Sequence, residues 1–194
     1  MSDLIDISDD ACIQAYSEFK NLKLAGDSIG MKWQTLYSRL KRCGVAVVGD
    51  KSRYGSLSDK IGARGESDFK RLVPKADNCN LREYQPRVDF KVGDLLVEVK
   101  ASIKKSCSKI TNSKRWAFSI KKQECVCDFF VFMAYSEDKA SLEKVFLIPS
   151  ELAVFSQSIT VSATGKSKWH DFEVDSADLA CFFDGYSKDG RGSE

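Results

Sequence analysis

The stretch Val88-Asp-Phe-Lys-Val-Gly-Asp-Leu-Leu-Val-Glu-Val-Lys100 constrains the fold of this chain more than any other. It reads as two short strands joined by a two-residue turn at Gly93-Asp94, the length that closes hairpins. That turn pairs Val92 with Leu95, Lys91 with Leu96 and Phe90 with Val97, and sets Asp89 directly opposite Glu98. Side chains alternate along a strand, so Val88, Phe90, Val92, Leu95, Val97 and Val99 share one apolar face. The other face carries Asp89, Glu98 and Lys100, with Lys91 and Leu96 nearer the turn. Directly paired residues hold their Cβ atoms roughly 5 Å apart, so two carboxylates converge with an ammonium two positions along. Like charges across a pair destabilise a sheet, and a divalent cation between them would remove the objection. An amphipathic hairpin with its charges in water fits the same spacing, so context has to decide.

A chain of 194 residues can bury one sizeable core, or a core domain plus a small appendage. With 43% hydrophobic and 30% charged residues, it reads as an ordinary soluble globular protein rather than a disordered one. No apolar run approaches the ~20 residues that span a bilayer, so no membrane partner is expected. The acidic start Met1-Ser-Asp-Leu-Ile-Asp lacks the features of a secretory signal. Its 7 cysteines form no Cys-x-x-Cys pair and read as scattered, reduced thiols. A cytoplasmic protein of a bacterium, archaeon or phage is the expectation. A single histidine, His170, argues against Ser-His-Asp and Cys-His hydrolases.

The net charge of +2 hides an asymmetry. From Val99 to Gln123 there are eight Lys or Arg and no acid, and from Met31 to Arg53 six basic residues stand against Asp50 alone. The tail from Asp171 to Glu194 is acidic. Two basic blocks, one abutting Glu98-Val-Lys100, point to a polyanionic partner, although two solvated faces would carry the same residues.

Ser8-Asp9-Asp10 caps a helix from Asp9 to about Leu22, with Ala11, Ile13, Ala15, Tyr16 and Phe19 at helical spacing. A second runs from Leu22 to Ile29 and stops at Gly30. A third starts near Lys32, carries Trp33, Leu36, Tyr37 and Leu40 on one face, and ends at Cys43-Gly44. Asp27-Ser-Ile-Gly-Met-Lys-Trp-Gln-Thr-Leu-Tyr-Ser-Arg-Leu, within a match from Asp9 to Val48, resembles a helix-turn-helix. The resemblance implies that the third helix enters a major groove, with Lys32, Gln34, Thr35, Ser38, Arg39 and Arg42 toward the DNA. Three-helix units of this size also serve as packing or dimerisation modules. Val45 to Val48 is a short β-like run, and the polar stretch from Gly49 to Gly55, with Lys51 and Arg53, is a linker or a DNA-touching wing. Residues 1–55 are therefore expected to form one domain and 56–194 another.

Leu57 to Val73 reads as a helix broken by Pro74, with Glu66, Phe69 and Val73 at i, i+3 and i+7. A carboxylate near a core-facing stripe needs a partner or a job. Leu81 to Tyr84 leads into the hairpin, Trp116 to Ile120 alternates as a strand does, Asp128 to Tyr135 is a buried strand, and Lys144 to Ile148 is another. A helix begins at Glu151 after Pro149-Ser150. The expected class is α/β, a mixed central sheet flanked by helices and mainly covered on both faces, with a small all-α N-terminal domain.

Glu66 on a helix, Asp89 in a strand and Glu98-Val-Lys100 in the next resemble the PD-(D/E)xK nuclease superfamily, over about Lys60 to Ile148. One departure is Pro86, three residues before Asp89 rather than adjacent to it. The resemblance implies a restriction-endonuclease-like fold in which Asp89, Glu98 and Glu66, with the Val99 carbonyl, hold Mg²⁺ (Mn²⁺ as a substitute). Lys100 would position or activate water. Lys104, Lys105, Lys109, Lys114 and Arg115 would grip phosphates. The chemistry agrees, since hard oxygen ligands suit Mg²⁺ and a cation lowers the pKa of attacking water. The expectation is a Mg²⁺-dependent, site-specific endonuclease for double-stranded DNA, of restriction or homing and phage type, needing no small-molecule cofactor. A homodimer is expected if both strands are cut. A junction or repair nuclease, and a DNA-binding regulator with a non-cleaving nuclease-like domain, are the alternatives. His170, Cys125, Cys127, Lys121, Lys122, Gln123, Trp116 and Trp169 are assigned no functional role.

Overall fold

A computed structural model of the chain describes residues 7–47, 52, 55–81, 87–106, 113–120 and 126–189. The linker or wing residues Lys51 and Arg53, together with Pro86 and Lys109, lie outside the described residues.

Three helices come first: α1 (Asp9–Phe19), α2 (Leu22–Ser28) and α3 (Trp33–Arg42). Ser8 caps α1 by accepting from Ala11 N, and Asn21 caps α2 by accepting from Lys23 N and Leu24 N. Cys12, Ala15 and Tyr16 of α1, Ala25 of α2, Leu36 and Leu40 of α3, and Val47 make a core of their own. The packed face of α3 is narrower than the sequence suggests. Leu36 and Leu40 are fully buried, whereas Trp33 and Tyr37 are 47% and 36% exposed. The buried pair repeats at i, i+4, and the two aromatics form a second i, i+4 pair rotated off that stripe. Residues 45–47 form no strand.

The rest of the chain is built on a six-stranded mixed sheet in the order β1 (Asp77–Asn78), β2 (Phe90–Val92), β3 (Leu95–Ile103), β6 (Phe129–Tyr135), β7 (Leu142–Pro149) and β9 (Glu173–Val174). Among the described residues, the β3–β6 pair alone is parallel in this sheet. Parallel neighbours need a crossover, which helices usually supply. Here β4 (Lys105–Ser106) and β5 (Lys114–Ser119) occupy that connection and join β8 (Ser158–Ser162) in a separate three-stranded antiparallel sheet. The expectation of helical flanks therefore holds for one face only. The second sheet was hidden because alternation along Trp116–Ile120 fits either sheet.

The two faces are legible along β6. Val131, Met133 and Tyr135 pack toward α4 (Leu57–Leu72) and α6 (Leu179–Asp189), while Phe130, Phe132 and Ala134 pack toward Trp116 and Phe118 of β5 and Ile159 and Val161 of β8. A residue turned to either side meets apolar partners, which is why the strand is continuously hydrophobic. After β7 comes one helical turn, α5 (Ser150–Ala153), shorter than the helix expected there.

Helix α4 carries a full capping box. Ser56 accepts from Asp59 N, and the Asp59 carboxylate accepts from Ser56 N at 2.9 Å, an arrangement that contributes about 1 kcal/mol. It lies close against the sheet at Gly65, where an added Cβ would lie 2.8 Å from the Ala101 Cβ and 3.6 Å from Val99 Cγ1. A glycine there lets the helix lie against β3 and brings the next residue, Glu66, to the edge of that strand. No helix among the described residues is long and apolar enough to cross a membrane.

Candidate active site at the edge of strand β3

The hairpin register is the one its turn demands: Phe90 with Val97, Lys91 with Leu96 and Val92 with Leu95. Gly93 occupies the left-handed region at φ 61°, as tight hairpin turns require. One pair further out, the structure departs from the expectation. β2 starts at Phe90, residues 87–89 bend away, and Asp89 forms no ladder pair with Glu98. Its carboxylate instead turns to the strand edge, where Oδ2 accepts from Val99 N at 2.9 Å. Val88 consequently packs in the cluster with Trp116 and Phe118, on the face opposite Phe90 and Val97. The physical reason is substitution. A side-chain oxygen satisfies the N–H that a continued β2 would have taken, and the strand is free to end.

The early end of β2 leaves a notch along β3. Val97 and Val99 face α4, while the alternating Glu98 and Lys100 leave on the other side. Glu98 and Lys100 are neighbours on one face, with Lys100 Nζ 2.5 Å from Glu98 Oε1, and their side chains are 20% and 26% exposed. Burial and then the Asp89 carboxylate push the Glu98 carboxyl above its ordinary value, while Lys100 pulls the other way and does not prevail. Glu98 and Asp89 thus feel each other electrostatically although they form no ladder pair.

Glu66 reaches the notch from α4. Between it and Asp89 stands Asn80, in the short 3-10 turn Cys79–Leu81. Asn80 Nδ2 lies 3.2 Å from Glu66 Oε2 and 3.2 Å from Asp89 Oδ1. The two carboxylate oxygens are therefore at most twice that distance apart. Asn80 was missed in the sequence because the segment around it has no periodicity and no recognisable motif. A glutamate predicted on the flanking helix and an aspartate predicted in the first strand of the hairpin were the available signals that something must lie between them.

Among the described residues, no three His, Cys, Asp or Glu side chains already stand as a ready metal cluster. The donor chemistry nevertheless suits a hydrated hard cation, which takes one or two carboxylates and keeps several waters. Asp89, Glu98 and Glu66 supply carboxylate oxygens. In an extended strand the N–H and C=O of one residue leave on the same side, so the Val99 carbonyl is directed with its N–H toward Asp89 and away from β6. The raised Glu98 carboxyl beside Asp89 is the electrostatic mark of a place that a cation would stabilise.

The expected DNA-contacting residues divide into two groups. Lys32, Gln34, Thr35 and Ser38 are exposed on α3. Arg39 and Arg42 instead reach Asp9 of α1, at 3.6 Å and 3.2 Å, and Arg39 also donates to the Ile7 carbonyl. In the second block, Lys104 is held by Glu143 at 2.5 Å, and Lys114 is paired with Glu137. The run that lacks acids in sequence therefore meets them in space. Lys105 and Arg115 are exposed and directly paired across β4 and β5, two like charges on one sheet surface. His170 is held between Glu173 Oε2 at 3.0 Å and the Ser162 carbonyl at 2.8 Å, a structural position.

No family model matches the sequence, and no curated protein matches it. Among solved structures, the chain is similar to a bacterial homing endonuclease, I-Ssp6803I, with a TM-score of 0.48 and 16% identity, covering 68% of this chain and 96% of that one.

Proposed function

We propose that the protein is a metal-dependent endonuclease that hydrolyses phosphodiester bonds of double-stranded DNA at the β3 notch. The observation that carries this reading is that Glu66 and Asp89 share one amide nitrogen of Asn80, while Glu98, paired with Lys100, feels the Asp89 carboxylate. In this reading Asp89, Glu98 and the Val99 carbonyl hold Mg²⁺, with Glu66 completing the ligand set. Bound there, the ion would neutralise developing phosphate charge and make water a better nucleophile. Lys100 orients the attacking water through Nζ and screens the charge that grows on the phosphoryl oxygens. Water oxygen bonds to phosphorus, the bond to the leaving oxygen breaks, the water protons pass to solvent, and the leaving oxygen takes a proton from solvent.

Lys105 and Arg115, exposed and paired across β4 and β5, with no ion pair to an acid among the described residues, are the residues we assign to backbone phosphates near the site. The exposed row Lys32, Gln34, Thr35 and Ser38 gives α3 the composition of a helix that reads a groove, which would make cutting site-directed.

The test is incubation of supercoiled plasmid and phage DNA with the purified protein, with Mg²⁺ and with a chelator in its place. Nicked or linear product that depends on Mg²⁺ and disappears in Lys100→Ala is the expected result. Intact DNA under every condition, with sequence-specific binding retained, would instead make the protein a DNA-binding regulator. Mapping the ends of any product separates restriction, homing and repair activities by the length of the site.

A further inference from the structure

We infer that Asn80 is a positioning residue of the cation seat, tying the Glu66 and Asp89 carboxylates to one amide nitrogen. This rests on the endonuclease reading and adds a residue to it. The two carboxylates come from separate elements, α4 and the segment before β2, and their charges repel. A primary amide carries two N–H donors on one nitrogen, so a single Asn can serve both at once. Asn80 Nδ2 does so at 3.2 Å to each.

The turn that carries Asn80 is itself fastened to the site. Cys79 N donates to the Asp89 carbonyl at 3.0 Å, and Asn80 N donates to Asn78 Oδ1 at 2.9 Å. Asp89 is thus tied to this turn twice, through its backbone and through its carboxylate. On its other side Asp89 is fixed by Val99 N, so neither carboxylate oxygen is left to rotate. A carboxylate oxygen has two lone-pair positions, so accepting from Nδ2 leaves the group able to bind a cation. Hydrogen bonds that orient ligands in this way are typically worth about 10–100-fold in metal affinity.

Calorimetric titration of the full chain with Mn²⁺, beside thermal unfolding in chelator and in Mn²⁺, tests the assignment. Asn80→Ala is expected to weaken Mn²⁺ binding by about 10–100-fold, with a small change in the unfolding midpoint in chelator. Asn80→Ser, which keeps one donor, falls between Asn80→Ala and the wild type. Asn80→Asp removes both donors and adds a fourth carboxylate; its midpoint drops furthest in chelator and recovers when Mn²⁺ is added. Wild-type affinity in Asn80→Ala, or a drop in Asn80→Asp that Mn²⁺ does not reverse, would overturn the role while leaving the endonuclease reading in place. A wild type that takes up no Mn²⁺ removes the cation seat, and both proposals with it.

Discussion

Two corners of the same sheet treat a glutamate in opposite ways. At the β7–β9 corner, Glu173 is held by Lys144 at 2.6 Å and by His170 at 3.0 Å. Burial alone would raise its carboxyl, but hydrogen bonds from Lys144 and His170 win and hold it below its ordinary value. At the β3 notch, Glu98 also has a lysine at salt-bridge distance, yet burial and Asp89 win and its carboxyl is raised. Two things differ: Glu98 is more deeply buried than Glu173, and its second neighbour is a carboxylate where Glu173 has a histidine. One lysine does not balance two carboxylates in a partly buried place. Where charge serves the fold, it is matched; at the notch it is left in excess, which suits an incoming cation.

The largest effect expected from this contrast is on catalysis. Glu98→Gln should lower Mg²⁺-dependent cleavage by at least about 10²-fold, whereas Glu173→Gln should leave it unchanged. Plasmid nicking rates measured on both variants check this. A comparable loss in both would mean that the two corners are equivalent.

Gly65→Ala probes the placement of Glu66 independently. The added methyl meets the Ala101 Cβ, so the helix must move off β3. A loss of roughly 1–3 kcal/mol in chemical unfolding is expected, together with weaker cleavage because Glu66 moves with the helix.

Stability should respond to pH with opposite signs at the two corners. The Glu98 carboxyl is raised, so its neutral form is the one the fold favours. Relative to Glu98→Gln, the chelated wild type therefore loses stability as pH rises from the ordinary carboxylate value of 4.5 upward through the higher folded value. Glu173 is lowered, so its contribution is present above 4.5 and is lost as pH falls through the lower folded value. Its pairs are partly solvent-screened, and the loss in Glu173→Gln at neutral pH should be about 0.2–1 kcal/mol. Unfolding midpoints of the three proteins across pH would show both trends.

The smallest effect concerns DNA binding. Replacing Lys105 and Arg115 together by Ser should reduce the slope of log affinity against log salt by about 1.8, two phosphates at about 0.9 each. Lys104→Ala and Lys114→Ala, whose charges already face Glu143 and Glu137, should leave the slope nearly unchanged.

Much of this was readable in the chain. The turn at Gly93-Asp94 set the register of β2 on β3 correctly, and the unbroken apolar run set β6, because both depend on short-range periodicity and turn chemistry. The three N-terminal helices also fall where caps and spacing put them. What escaped depends on contacts between distant segments. Glu137 and Glu143 neutralise Lys114 and Lys104 from more than twenty positions away, so a run without acids misled. Asp9 likewise engages Arg39 and Arg42 from the other end of the helical unit. Asp89 left the ladder because its own carboxylate could replace a strand carbonyl, a competition that alternation cannot register.

The cation-induced shift in thermal unfolding tests the central claim most directly, since it asks whether the excess charge at the notch is what Mg²⁺ relieves. Adding Mg²⁺ to the chelated wild type should raise the unfolding midpoint, and the same addition to Glu98→Gln should raise it far less. Equal shifts in the two proteins, or none in the wild type, would contradict the account.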